Sequence, residues 1–152
     1  MGNLAQKLMQ KILVPMELER LERNMKFITT ETSKKRNAPY SPGVIHNGIL
    51  YISGQLALDP ATGKVAEGGV REHARQALAN MNEVLELAGV PKENVIQCRV
   101  YTPDVAYWDD INVEYVKYFG DHRPARVVVP TGPLHFGSLV EIEALAAVTE
   151  EK

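Results

Sequence analysis

Arg126 is the residue whose surroundings least suit its type. It stands between Ala125 and the run Val127-Val128-Val129-Pro130, a stretch that otherwise asks for burial. A guanidinium placed there needs a carboxylate to balance its charge. Its planar fork can grip a carboxylate through two parallel hydrogen bonds, which fixes orientation as well as affinity. Downstream, Glu141 and Glu143 alternate with Val140, Ile142, Ala144, Ala146 and Val148, so a strand here would turn its two acids away from the apolar face. The same alternation groups Arg126 with Val128 and sets Val127 and Val129 on the other side. An arginine and a carboxylate are therefore expected to share the non-core face of adjacent strands. Two readings stay open: an ion pair with a glutamate or another subunit, or a ligand carboxylate held by Arg126. Spacing alone does not separate them.

Other polar residues have types that suit such a site. Tyr40 lies in Asn37-Ala38-Pro39-Tyr40-Ser41-Pro42, a loop stiffened by two prolines, where its phenol either orients a ligand or lids the edge of the core. In Ser53-Gly54-Gln55, the glycine lets backbone approach a ligand closely, or else marks a bulge. Ser53 has no base near it in sequence, and the absence of a Gly-x-Ser-x-Gly elbow argues against a serine hydrolase. Asn112, between Ile111 and Val113, reads as a polar residue on the solvated side of a helix. The histidines are His46, His73, His122 and His135. They form no pair at metal-ligand spacing, so no metal is expected. His122 and His135 flank the Arg126 strand in loops, where either can line a site. Cys98 is the single cysteine; it excludes an intrachain disulfide, fits a reducing cytoplasm and reads as inert core.

The elements that must position these residues are marked by clear punctuation. Residues 26–30 read as a short strand. Gly43–His46, Asn47-Gly48 and Ile49–Ser53 read as a hairpin closed by a type I′ turn. After Gly68-Gly69, the residues Ala74, Leu78, Met81, Leu85 and Ala88 recur at helical spacing until Gly89 and Pro91 stop them. Residues 95–102 alternate as a strand, with Ile96, Cys98 and Val100 on one face. Trp108, Ile111, Tyr115 and Phe119 form a second helical stripe, with Asp104 a candidate cap and Gly120 its stop. Tyr107, Trp108, Tyr115, Tyr118 and Phe119 lack the basic neighbours of a base-stacking platform and read as packing. Residues 125–129 and 139–148 complete a β-β-β-α-β-α-β-β order. This order suits an α+β pair of layers, two helices on one face of a mixed six-stranded sheet. The other sheet face is left uncovered.

Composition is that of a globular chain: 45% hydrophobic, 24% charged and a net charge of −2. Residues 1–37 carry eight basic and four acidic side chains, leaving nine basic and fifteen acidic beyond them. An acidic remainder with no phosphate-binding loop does not suit nucleic acid. No apolar run is long enough for a bilayer, so a soluble protein is expected. Residues 1–24 differ from the rest and read as an appendage, either a leader or tag or a docking helix, ahead of a single domain over residues 25–152.

Five stretches, in register and in order, resemble the RidA/YjgF family: Ala38-Pro39-Tyr40-Ser41, Tyr51-Ile52-Ser53-Gly54-Gln55, Asn112-Val113-Glu114-Tyr115, Pro124-Ala125-Arg126 and Val140-Glu141-Ile142-Glu143-Ala144. The resemblance spans nearly all of residues 38–148. It implies a chorismate-mutase-like subunit whose sheets turn inward in a homotrimeric barrel, with ligand sites in the clefts between subunits; such an assembly would cover the open sheet face. It also implies a cytoplasmic, cofactor-free deaminase. Such an enzyme hydrolyses 2-aminoacrylate and 2-aminocrotonate, through their imine tautomers, to 2-oxo acids and ammonia, with no nucleic-acid or membrane partner. By position, Arg126 would clamp the substrate carboxylate and Glu141 would orient or deprotonate the attacking water. Tyr40, Ser53, Gly54, Asn112, Val128 and His135 would shape the pocket. Val128 stands where many such deaminases have cysteine, and Gln97 where lysine is frequent. The loop over residues 120–124 looks shortened, and Leu134-His135-Phe136-Gly137 differs from the usual segment, which points to a shifted substrate preference. Two alternatives accompany this reading: a protein that binds a small carboxylate without turning it over, and an endoribonuclease or translation inhibitor.

Overall fold

The computed structural model describes residues 24–149; the appendage expected over residues 1–24 lies, Asn24 aside, outside them. The strands are β1 (Lys26–Ile28), β2 (Gly43–His46), β3 (Ile49–Leu56), β4 (Val95–Thr102), β5 (Ala125–Pro130) and β6 (Glu141–Ala147). The helices are α1 (Glu31–Lys35), α2 (Val70–Ala88) and α3 (Trp108–Phe119). All six strands join in one mixed sheet of order β1-β2-β3-β6-β4-β5. Only the β4–β5 pair is parallel. A parallel neighbour needs a crossover, and α3 supplies it.

Local chemistry accounts for most boundaries. Asn47 and Gly48 both carry positive φ, 49° and 74°, as a type I′ hairpin requires. The α2 helix ends where Gly89 turns left-handed at φ 69° and its N–H reaches the carbonyls of Glu86 and Leu85. The α2 stripe of Leu78, Met81 and Leu85 and the α3 stripe of Ile111, Tyr115 and Phe119 are buried on the sheet face formed by Leu50, Ile52, Cys98, Val100, Ile142 and Ala144. Burying each large aliphatic side chain contributes about 1.5–3 kcal/mol. Across the sheet, Phe27, Tyr51 and Val127 are 59%, 47% and 43% exposed. Apolar side chains left to water on this face make it a candidate contact surface. Among the described residues, no helix is long and apolar enough to cross a membrane.

Four expectations are corrected. The first strand ends at Ile28, and Thr30 instead caps a third helix, α1. The Ser33 N–H donates to Thr30 Oγ1 and the Thr30 N–H to Ser33 Oγ, each at 3.1 Å. This reciprocal pair satisfies donors that a continuing strand would have left to a ladder partner. In β4 it is Val95 that is buried and Ile96 that is exposed, because the register with β6 slips between Val95 and Gln97 and the extra residue inverts the alternation. The Asp104 side chain accepts from the Ala106 N–H in a short 3-10 turn, so it caps that turn rather than α3. Finally, β3 runs on to Leu56 and β6 begins only at Glu141.

Candidate active site

The principal correction concerns Arg126. It shares its sheet face with Val128, which is buried in the core beneath the helices, so it lies on the helix side rather than the open side. Its guanidinium rests over the aromatic residues of α3, with Cζ 4.7 Å from the Tyr115 ring centroid and 6.0 Å from that of Trp108. Among the described residues it makes no ion pair and no hydrogen bond. Glu143, its candidate partner, projects from the opposite face and pairs with Arg99 at 2.8 Å. The ion-pair reading of Arg126 within one chain is thereby replaced: the fork is half-buried, flanked by rings and uncommitted.

Glu141 lies on the open face, and β4 separates its strand from that of Arg126. Register places Arg126 level with Cys98 and Ala144, and Glu141 level with Tyr101 and Val129. Two strand spacings of about 4.8 Å and three residues of about 3.3 Å set the two Cα atoms roughly 14 Å apart. With side chains on opposite faces, the pair cannot grip one small molecule inside a single chain.

Glu141 instead joins a second cluster. The ladder between β3 and β6 slips between Ile52 and Gln55, so Ser53-Gly54 forms a bulge. Here the bulge and the close-approach readings of Gly54 coincide: a Cβ on Gly54 would collide with Oε1 of Glu141 and stand 3.0 Å from its Cδ. The carboxylate is half-buried, has no hydrogen-bond partner among the described residues, and is pushed to a raised pKa, chiefly by burial and secondarily by the charge of Glu143. A carboxyl so placed is a candidate proton acceptor, more basic when ionised than an ordinary glutamate. Its strand is anchored from behind. The Leu139 N–H donates to Nδ1 of His73 at 2.9 Å, so Nε2 carries the proton and donates to the Ala66 carbonyl, also 2.9 Å. Buried Ser138 accepts from the Ala57 N–H and donates to the Val140 carbonyl.

The remaining expected residues divide between the two clusters. Ser53 Oγ donates to the Ser41 carbonyl at 2.7 Å, and its N–H to that of Pro42 at 2.9 Å; the serine tethers the Tyr40 loop to β3. Tyr40 is 60% exposed and shares a cleft with Gly54, Gln55, Arg36 and Asn80. Asn112 is half-buried on α3, and helical spacing puts it on the stripe between Trp108 and Tyr115 that faces Arg126. Val128 packs into the core and can offer a ligand only its backbone. His135 is exposed beside the Phe136 ring, 3.7 Å between centroids, and Phe136 holds φ at 59°, with Arg36 Cζ 5.3 Å from its centroid. Cys98 is fully buried, and burial pushes its thiol up to about 11 despite the nearby Arg126 charge; it is inert at neutral pH. Sequence reasoning took Tyr115 and Trp108 for packing and passed over Arg36. The spacing of Trp108, Asn112 and Tyr115 on one stripe was the signal available for the first two.

The family model of Endoribonuclease L-PSP matches residues 30–148. The chain belongs to this family, the RidA/YjgF group. It is similar to the human 2-iminobutanoate/2-iminopropanoate deaminase, 40% identical over 119 residues, which are 78% of this chain and 87% of that one. A RutC family protein of Pyrococcus horikoshii is 39% identical over 119 residues, 78% and 94% of the two chains. Among solved structures, a Rid family protein of Yersinia pestis matches with a TM-score of 0.77 at 34% identity, covering 82% of this chain and 99% of that one. Escherichia coli TdcF with bound serine matches with a TM-score of 0.75 at 29% identity and the same coverage. The α+β fold, a mixed six-stranded sheet with three helices, is thus that of the RidA family.

Proposed function

We propose that this protein is a cytoplasmic, cofactor-free deaminase of 2-enamino and 2-imino acids. It would convert 2-aminoacrylate and 2-aminocrotonate, as their imine tautomers, to 2-oxo acids and ammonia. The observation that carries the reading is a pair of opposite groups left uncommitted, the Arg126 guanidinium and the Glu141 carboxylate, in a chain whose neighbouring charges Arg99 and Glu143 are spent on each other. Relatives at 40% identity bear the matching name.

The imine carbon is already electrophilic, so positioning and one proton-transfer group suffice. Arg126 holds the substrate carboxylate. Glu141 takes a proton from water as the water oxygen bonds to the imine carbon and the C=N π bond opens, and passes it to the nitrogen to give the carbinolamine. It then takes the hydroxyl proton as the C=O bond forms and hands it to nitrogen as the C–N bond breaks and ammonia leaves. Since Arg126 and Glu141 cannot meet within one chain, the working site joins the Arg126 half of one copy to the Tyr40, Gly54 and Glu141 half of another. Threefold closure supplies three such clefts and covers the exposed Phe27, Tyr51 and Val127 face.

The test is a coupled assay in which threonine dehydratase generates the imine and release of 2-oxobutanoate is followed. Addition of the protein should accelerate release in proportion to its concentration; no acceleration overturns the proposal. A second reading, binding without turnover, draws on the serine held by TdcF and predicts a carboxylate bound but unchanged. The endoribonuclease reading is disfavoured by nine basic against fifteen acidic side chains beyond residue 37, and salt-sensitive RNA binding would revive it.

Gly54 yields a sharper result. Alanine there must push Glu141 aside, and a misplacement of about 1 Å lowers turnover roughly 100-fold. Gly54→Ala should therefore lose kcat about 100-fold in the same assay while its circular dichroism stays unchanged.

A further inference from the structure

An arginine that must receive a ligand needs to be held without being neutralised. A protein carboxylate would fix it but would occupy the same N–H donors. An aromatic face attracts the cation through its quadrupole and leaves the edge of the fork open. Arg126 is held in the second manner, 4.7 Å above the Tyr115 ring and 6.0 Å from that of Trp108. The Tyr115 ring is itself packed in place: it is 7% exposed and lies 4.6 Å from the Phe119 ring at an interplanar angle of 48°. Phe119 in turn meets Tyr118 edge-on at 4.7 Å. Yet the Tyr115 hydroxyl is buried with no oxygen or nitrogen partner and meets only the Cys98 thiol.

We propose that Tyr115 is the positioning residue of the anion site: its ring seats the Arg126 guanidinium and leaves the donors of the fork free for the carboxylate of a 2-imino acid. The inference rests on the deaminase reading for the identity of the ligand, but the seat itself is a property of the free protein. Trp108, more distant and 39% exposed, is the outer wall of the seat.

The geometry separates ring from hydroxyl. Tyr115→Phe keeps the π face and removes only a buried hydroxyl with no oxygen or nitrogen partner, so KM and kcat should stay within about twofold of the parent and thermal stability should hold or rise. Tyr115→Leu removes the face. Cation–π attraction of the size found at partly desolvated sites then predicts a rise in KM of about tenfold with kcat changed less than about threefold. Trp108→Leu should raise KM only about twofold.

The experiment joins this kinetic series to NMR of the Arg126 side chain in the full-length protein without ligand. In the parent and in Tyr115→Phe, the Arg126 Nε–H and Cδ protons should be ring-current shifted and the Nε–H ordered; in Tyr115→Leu both signatures should be lost. Arg126 signals unchanged in Tyr115→Leu would overturn the seat, as would equal kinetic losses in Tyr115→Phe and Tyr115→Leu, which would assign the role to the hydroxyl. If the parent protein shows no imine turnover, the deaminase reading falls, and the NMR comparison still decides the seat.

Discussion

Arg126→Ala is expected to lower kcat/KM for imine hydrolysis about a thousandfold while leaving the protein folded and its assembly state unchanged. A bidentate guanidinium–carboxylate contact comprises two charge-assisted hydrogen bonds of about 1.5–3 kcal/mol each. Losing roughly 4 kcal/mol of them corresponds to about three decades in rate. Folding is spared because Arg126 has no carboxylate partner among the described residues, so its removal orphans no buried charge; only contact with the Tyr115 and Trp108 rings is lost, about 1 kcal/mol. Arg126→Lys keeps the charge but not the planar fork, and should fall between, about 30-fold down. Steady-state kinetics in the dehydratase-coupled assay, with size-exclusion chromatography of each variant, checks all three statements. Undiminished turnover in Arg126→Ala would remove the anchor.

Which parts of this picture were readable from the chain follows the range of the forces involved. The hairpin at Asn47-Gly48, the α2 stripe ending at Gly89 and the α3 stripe ending at Gly120 are local: backbone sterics and 3.6-residue periodicity dictate them wherever they occur. The α1 helix is equally local, and the Thr30–Ser33 capping pair was its signal; a short apolar run before it drew the strand too far. The inverted alternation at Val95 and Ile96 is different in kind. A bulge depends on which strand lies alongside, and β6, the partner, is more than forty residues away. The side chosen by Arg126 is non-local for the same reason. Alternation grouped it correctly with Val128, but only the tertiary packing of Val128 under the helices says which face that is. The identity of the Arg126, Glu141, Tyr40 and Gly54 set came from matched motifs, which carry no information about whether the residues meet in one chain. That Arg126 and Glu141 stand on opposite faces, with β4 between their strands, follows from the order β6-β4-β5, which pattern alone does not supply.

Glu141→Gln is expected to lower kcat by about 100- to 1,000-fold with KM changed little, the range for removing one general acid/base group. The pH profile separates this role from mere positioning. Burial, with the charge of Glu143 adding to it, raises the pKa of Glu141. The ionised form is the one that accepts a proton from water, so kcat should fall as pH drops through a value above that of an ordinary glutamate, and this acid limb should vanish in Glu141→Gln. Stability carries the opposite sign. A carboxyl whose folded-state pKa exceeds its unfolded value binds its proton more tightly when folded, so its favourable contribution is complete below the unfolded pKa and is lost as pH rises through the folded one. Once ionised, Glu141 therefore opposes folding, and above its folded pKa Glu141→Gln should melt at the same temperature as the parent or slightly higher. A substitution that abolishes turnover while leaving the protein no less stable locates the strain in the chemistry, since a group kept for structure weakens the fold when removed. Equal losses in ligand binding and in turnover, or an acid limb that persists in Glu141→Gln, would instead assign the proton transfer to another group.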